Sequence, residues 1–277
     1  AVLNHAAELA AQLDAPVSAA VFKPHPRRFF KPDTAPFRLM SDAQRVRALE
    51  EAGAARVFAI PFDRELAGMT PEAFVERVLA GRLGLRGVVT GADFRFGKDR
   101  AGGAEALRTI GATFGITAET APEIRAEARK VSSTGVREAL QAGDAEGASK
   151  LLGRPFAIEG EVIHGDRRGR TLGFPTANIA LGDYLRPAFG VYAVRARIDG
   201  ETVWRPGVAN LGRRPTVDGA DERLEAHLFD FHGDLYGRTL EVALDAFIRG
   251  ERRFDGLEAL TAQIAADSAT ARARYGV

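Results

Sequence analysis

Cysteine is absent from the 277 residues, which excludes disulfides, thiolate nucleophiles and cysteine-ligated metals while leaving the redox compartment open. Net charge is almost absent as well. The formal value of +1 supplies no broad field for nucleic acid or an acidic membrane, so any anion recognition has to be local. No apolar run reaches membrane-spanning length and no charged-then-apolar leader opens the chain, so a soluble, cytoplasmic protein with neither membrane nor nucleic acid as partner is expected. Also missing are the Gly-x4-Gly-Lys-Ser/Thr loop and the His-Arg-Asp and Asp-Phe-Gly pair, which removes the common phosphoryl-transfer scaffolds. There is no Gly-x-Ser-x-Gly turn, and His5, His25, His164, His227 and His232 show no metal-ligand spacing.

What is present is an apolar content of 45%, enough for two ordinary domains with real cores. In the amino half, helical and strand-like segments alternate. A helix starts at once with Leu3, Ala7, Ala10 and Leu13 on one face, and strands are expected over 16–22, 55–62, 85–91 and 116–120. Further helices are expected over 41–51, 71–81, 101–113 and 134–141, and the proline-rich stretch around Pro24, Pro26 and Pro32 reads as loop. This alternation predicts a helix-covered parallel sheet, whose ligands bind beyond the carboxyl ends of the strands. Such a fold normally opens on a strand, so a first strand and its phosphate-binding turn are expected to be missing ahead of Ala1.

Past a short helical linker at 144–153 the period becomes two, in FAIEGEVI, VYAVRARI, TVWRPGVANL, RLEAHLFDF and TLEVALDAFI, with Gly and Asp turns between them. A small antiparallel barrel is predicted, with the boundary at Leu152 and domains over 1–152 and 153–277. A closing helix over 255–275 carries Leu257, Leu260, Ile264 and Ala271 as the stripe expected to pack on the barrel.

The densest chemical signal is GEVIHGDRRGRTLGFPTAN, residues 160–178. Gly160, Gly165, Gly169 and Gly173 let backbone N–H groups approach a polyphosphate, and Arg168 and Arg170 add forked donors. Thr176 and Asn178 after Phe174-Pro175 place two neutral oxygens on one side of an extended chain, suited to Mg²⁺ alongside nucleotide phosphates. The glycines alone would equally suit a plain hairpin with solvated arginines, and the Thr-x-Asn spacing tips the balance. Glu225 and His227 share one face of RLEAHLFDF. That carboxylate is either a general base facing a ligand or an acid in water, and the histidine beside phenylalanine reads as structural. Ser132 and Ser133 with Arg137 form either an anion site at a helix start or ordinary capping. Gly91, Asp93, Phe94 and Phe96 lie just after a strand, where a flat ring could be clamped.

These residues resemble the bacterial bifunctional riboflavin kinase/FAD synthetase family over nearly the whole chain. The carboxyl half is similar through HGDRRGRTLGFPTANI, GVYAV, GVANLGRRPT and LEAHLFDF followed by Gly233-Asp234-Leu235-Tyr236-Gly237, and the amino half through Phe22-Lys23-Pro24-His25-Pro26, GADFRFG and VSSTGVRE. The resemblance implies a Rossmann-like nucleotidyltransferase domain, here without its first strand, followed by a six-stranded antiparallel flavokinase barrel with a carboxyl-terminal helix. It also implies ATP, riboflavin, FMN and FAD as substrates or products. Gly165, Arg168, Arg170, Gly173, Phe174 and Pro175 would cover the nucleotide, Thr176 and Asn178 would hold Mg²⁺ and phosphates, and Glu225 would be general base. Phe22, Pro24, His25, Gly91, Asp93, Phe94, Phe96, Ser132, Ser133 and Arg137 would form the adenylyltransferase site.

The family's Gly-x-Phe-Asp-Gly-x-His-x-x-His-type turn does not occur in the sequence, and His5 does not replace it. If the molecule starts at Ala1, FAD synthesis is expected to be lost or weak while flavokinase activity survives. If residues precede Ala1, both activities are expected. The competing expectation is a flavin- or nucleotide-binding module without turnover, indifferent to Glu225, and a homo-oligomer is left open.

Overall fold

The computed structural model describes residues 2–123, 125–126, 129–165, 173–216 and 219–277, with backbone alone at 125–126, 129–130, 214–216 and 219–220. The chain forms two compact units: residues 1–35 with 42–130, and residues 36–41 with 131–277.

In the first unit α1 (Val2–Gln12), β1 (Ser18–Lys23), α2 (Pro26–Phe30), α3 (Asp42–Glu51), β2 (Arg56–Pro61), α4 (Arg64–Gly68) and α5 (Pro71–Phe74) follow one another. A π-helical stretch, Val75–Arg82, continues α5 and leads to β3 (Gly87–Gly91), α6 (Ala104–Thr113) and β4 (Thr117–Ala121). The sheet is two parallel pairs, β1 with β2 and β3 with β4, rather than one continuous layer. The expected α/β alternation is otherwise present. Two short helices went unread in the sequence. Part of the expected proline-rich loop folds into α2 because Pro26 suits a first helical position and His25 Nδ1 accepts from Arg27 N–H at 3.1 Å. Asp63 likewise starts α4 by accepting from Leu66 N–H at 2.8 Å. Helix α1 lies so close on β3 that a Cβ at Gly87 would fall 2.7 Å from Leu13 Cδ1, which is why the strand carries glycine there. Ile60, Phe74, Val78, Phe96, Leu107 and Ile116 form the core. A two-residue hairpin, β5 (Arg125–Ala126) with β6 (Arg129–Lys130), closes this unit.

The second unit contains α7 (Ser133–Gln141), α8 (Ala145–Leu152) and a closed six-stranded barrel. Its strands are β7 (Phe156–Ile163), β8 (Ala177–Ala180), β9 (Gly190–Ile198), β10 (Arg205–Thr216), β11 (Gly219–Leu228) and β12 (Thr239–Gly250), in the order β10-β11-β8-β7-β12-β9 with every pair antiparallel. Alternation makes the barrel: Ile158, Ile179, Tyr192, Val194, Leu211 and Leu224 are fully buried inside, and the residues between them face outward.

The closing helix α9 (Leu257–Tyr275) covers the outer wall of β9, β10 and β12, and of the expected stripe Ala271 is fully buried there, Leu260 and Ile264 are half-buried and Leu257 turns outward. Leu257 is 70% exposed, while Asp267, Ser268 and Ala271 are buried. The reason is electrostatic. Arg249 on β12 needs a carboxylate, and Asp267 supplies both oxygens at 2.7 to 3.1 Å, so the helix turns its polar side inward.

Candidate active site

Closure of the barrel brings together three outward positions that are far apart in the chain. Asn178 on β8 pairs with Glu225 on β11, and Glu225 pairs with Asn210 on β10. The flanking Ala177, Ile179, Leu224, Ala226, Ala209 and Leu211 are all buried inside, so the three polar side chains form one row across the outer wall. Directly opposed residues in an antiparallel pair hold their Cβ atoms about 5 Å apart, which puts the Glu225 carboxylate within reach of Asn178. Thr176 stands two residues before Asn178, at the entry to β8. Asn210 lies within GVANLGRRPT, but only the β10–β11 register shows its place in this row.

Asn178 is the tightest point of this row. It is 5% exposed, and its Nδ2 donates to the Thr176 carbonyl at 3.4 Å. Its Oδ1 is buried and meets no partner among the described residues. Leaving such an oxygen unsatisfied costs about 1–3 kcal/mol, so it suits a ligand that brings positive charge, and a hard cation is the natural taker of a carboxamide oxygen beside a threonine hydroxyl. Gly165 presses on the same carboxamide: a Cβ there would lie 2.6 Å from Nδ2 and 2.7 Å from Oδ1. Any side chain would displace Asn178, which accounts for the glycine.

Thr176 and Asn178 also line a cleft at one end of the barrel, together with Gly165, Pro175, Phe231 and Tyr236. Glu225 is not a wall of that cleft; Asn178 links the two. Phe174 packs edge-on against His227, with ring centroids 5.5 Å apart, and Gly173 has a positive φ of 83° at the turn before it. Arg168 and Arg170 lie outside the described residues.

Two more acids of β11 form ion pairs. Asp221 accepts from Arg223 Nε at 2.7 Å, and Glu222 accepts from Arg186 Nε at 2.6 Å and from Arg213 Nε at 3.3 Å. The hydrogen bond from Arg186 is the main reason that the Glu222 carboxyl is held below its ordinary value of 4.5.

In the first unit, Phe22, Pro24 and His25 sit at the carboxyl end of β1 and just beyond it, and Gly91, Asp93 and Phe94 at and beyond the end of β3. Phe22 meets Phe62, which follows β2, edge-on at 5.4 Å, and Phe62 also meets Phe29 and Phe30 at 5.3 and 5.8 Å. This aromatic cluster, with Phe30 63% exposed, lies where parallel sheets take their ligands. Phe62, Phe29 and Phe30 were not read as site candidates, because nothing local separates them from core phenylalanines. Phe96 is only 6% exposed, stacks on Phe94 at 5.7 Å and touches Phe74, so it supports the loop from behind. Pro24 follows a cis peptide bond.

Ser132, Ser133 and Arg137 belong to the second unit. Ser132 caps α7 by accepting from Gly135 N–H at 3.1 Å, and Arg137 Nε donates to the Phe37 carbonyl at 2.9 Å with its guanidinium over the Phe37 ring. Capping and an anion site are not exclusive here, since the remaining N–H groups of the first turn stay available.

Comparison with known proteins finds one family in each half of the chain. The family model for riboflavin kinase matches residues 152–275, and that for FAD synthetase matches residues 1–135. A bifunctional riboflavin kinase/FMN adenylyltransferase of Pseudomonas fluorescens is 45% identical over 274 residues, covering 99% of this chain and 87% of that protein. The protein of the same description from Escherichia coli K12 is 43% identical over 262 residues, 95% of this chain and 83% of its own, and that of Bacillus subtilis 35% identical over 272 residues, 96% and 84%. A crystal structure described as a macrolide-efflux protein of Streptococcus pneumoniae shares the fold, with a TM-score of 0.86 and 31% identity over 98% of this chain and 88% of that one. Among the described residues no helix is long and apolar enough to cross a membrane.

Proposed function

We propose, from the premise that this chain belongs to the bifunctional riboflavin kinase/FMN adenylyltransferase family, that it phosphorylates riboflavin to FMN on its barrel and adenylylates FMN to FAD on its amino-terminal half. Residues 153–277 carry the first reaction and residues 1–152 the second. One observation carries the kinase assignment: Glu225 stands opposite Asn178, whose buried Oδ1 has no partner among the described residues.

In the kinase reaction Glu225 accepts the proton of the terminal ribityl hydroxyl as that oxygen bonds to the γ-phosphorus of ATP. The bond from that phosphorus to the bridging oxygen breaks, and ADP leaves. Mg²⁺, when bound, offsets the charge of the phosphates. Thr176 Oγ and Asn178 Oδ1 would hold that ion and the phosphate end of the nucleotide, with Gly165, Gly173, Phe174 and Pro175 beside it, and Arg168 and Arg170 are assigned to the phosphates by the family resemblance alone. Phosphoryl transfer of this kind needs alignment and charge neutralisation more than covalent help.

In the second reaction an FMN phosphate oxygen attacks the α-phosphorus of ATP and pyrophosphate leaves. The aromatic cluster around Phe22 takes the flat ring, with Pro24, His25, Gly91, Asp93, Phe94 and Phe96 shaping the strand ends. Ser132, Ser133 and Arg137 steady phosphates at the start of α7. The substrates are small molecules in water, and a cytoplasmic location follows from that chemistry.

Incubation with riboflavin, ATP and Mg²⁺, followed by chromatographic separation of flavins, tests both halves; FMN and then FAD are expected, and absence of FMN would overturn the kinase assignment. Glu225→Gln is expected to lower the rate of FMN formation about a thousandfold while riboflavin binding, read by flavin fluorescence, persists. A carrier without turnover would form no FMN in either protein.

A further inference from the structure

His227 shares the outer face of β11 with Glu225, and the reaction described above gives it nothing to do. Its surroundings are nonetheless specific. Nδ1 donates to the carbonyl oxygen of Pro175 at 2.8 Å, which fixes the tautomer. The ring stands edge-on between Phe174, at 5.5 Å and 77°, and Phe229, at 5.9 Å and 70°, so it cannot swing away without losing both contacts. Its backbone is crowded from β10, where a Cβ on Gly207 would lie 2.4 Å from the His227 carbonyl oxygen.

The register explains what the ring holds. The register ends at Ala226 against Ala177, and His227 and Thr176 are the next residue along each strand. Three restraints then act on the entry to β8. The proline ring fixes φ of Pro175. His227 ties the carbonyl of the Pro175–Thr176 peptide, and Asn178 Nδ2 ties the carbonyl of the next one at 3.4 Å. Peptide planes on both sides of the Thr176 Cα are thereby held, so the direction in which the Thr176 hydroxyl leaves the chain is set before any ligand arrives.

We infer that His227 is a positioning residue for the Pro175–Thr176 turn, setting the affinity of Thr176 and Asn178 for a magnesium–nucleotide and leaving proton transfer to Glu225. This rests on the reading that Thr176 and Asn178 are the ion and phosphate ligands. Outer groups that orient ligands are worth about 10- to 100-fold in affinity where they have been removed.

Calorimetric titration of the whole protein with Mg–ADP tests it without turnover. Asparagine can offer an N–H close to the place of Nδ1, glutamine offers one nearer Nε2, and leucine offers none. His227→Leu is expected to weaken Mg–ADP about tenfold, His227→Gln comparably, and His227→Asn by no more than about twofold, with riboflavin binding unchanged in all three. Thermal melting of each variant reports the fold, and if the leucine variant fails to fold, the asparagine–glutamine difference decides alone. Wild-type Mg–ADP affinity in His227→Leu, or equal weakening in the asparagine and glutamine variants, overturns the inference. Thr176→Val in the same titration tests the underlying reading separately: unchanged affinity there would remove the ligand assignment itself, whatever the His227 variants do.

Discussion

At Gly165 the chain passes so close to Asn178 that a methyl group has no place, and the consequence is measurable. A Cβ at 2.6 Å from the carboxamide must push the side chain or the loop, and Asn178, only 5% exposed, has little room to yield. Gly165→Ala is therefore expected to lower kcat/KM for ATP about tenfold through displaced ligand geometry, with little change in melting temperature, in steady-state assays of FMN formation. Glycine at 165 could be read from the sequence as a phosphate-loop residue, but its actual neighbour could not. The sequence pattern pointed to backbone approaching phosphate, whereas the structure has backbone approaching the Asn178 carboxamide. The same distinction applies to His227. Its spacing from Glu225 marks a shared strand face, and only the returning Pro175 carbonyl gives the imidazole a partner.

The elements are held by charge as much as by apolar contact. Helix α9 docks through Asp267 on Arg249, through Tyr275, whose hydroxyl donates to Asp245 Oδ2 at 2.7 Å, and through Arg272 on Asp230 at 2.9 Å. Burial, the Asp245 carboxylate and that hydrogen bond all push the Tyr275 hydroxyl well above its ordinary value, so it stays protonated as a donor throughout the accessible pH range. Asp267→Ala leaves the Arg249 guanidinium, only 21% exposed, without its carboxylate and is expected to cost about 3 kcal/mol in denaturant unfolding of the barrel. Arg249→Met combined with Asp267→Leu should recover most of that loss.

A weaker device joins β11 to the segment before β9. Glu222 holds Arg186, and its folded-state carboxyl lies below the ordinary 4.5, so its contribution is complete above that pH and is lost as pH falls below it. The melting temperature should drop less steeply in acid for Glu222→Gln than for the wild type. Amphipathic reading found Ala271 on the buried side of α9 but missed Asp267, because the partner surface carries an arginine and periodicity counts only apolar residues.

For the whole molecule, the separate cores are the main fact. Ile60, Phe74 and Leu107 belong to one, and Ile158, Ile179 and Leu224 to the other. Calorimetric unfolding is expected to show two transitions. Riboflavin with Mg–ADP should raise one of them, by about 2.7 kcal/mol at a hundredfold excess over Kd, and leave the other in place. A single transition shifted as a unit would mean that the two cores unfold cooperatively. The alternation of helices and strands, the change to period two and the barrel strands were legible because each is a local repeat of burial along the chain. Helices α2 and α4 were not, being single turns started by one cap each, and neither was the π-wound stretch after α5.

The sequence by itself determined the two-part organisation, the antiparallel barrel, the Thr-x-Asn motif and the family, since these depend on spacing over a few residues or on motifs read in order. Tertiary structure alone decided that Glu225 lies opposite Asn178, that Asn210 completes the row, that Gly165 abuts a carboxamide and that α9 buries Asp267. Closing a barrel fixes register between strands distant in the chain, and a slip of one residue would send every one of these side chains to the other face.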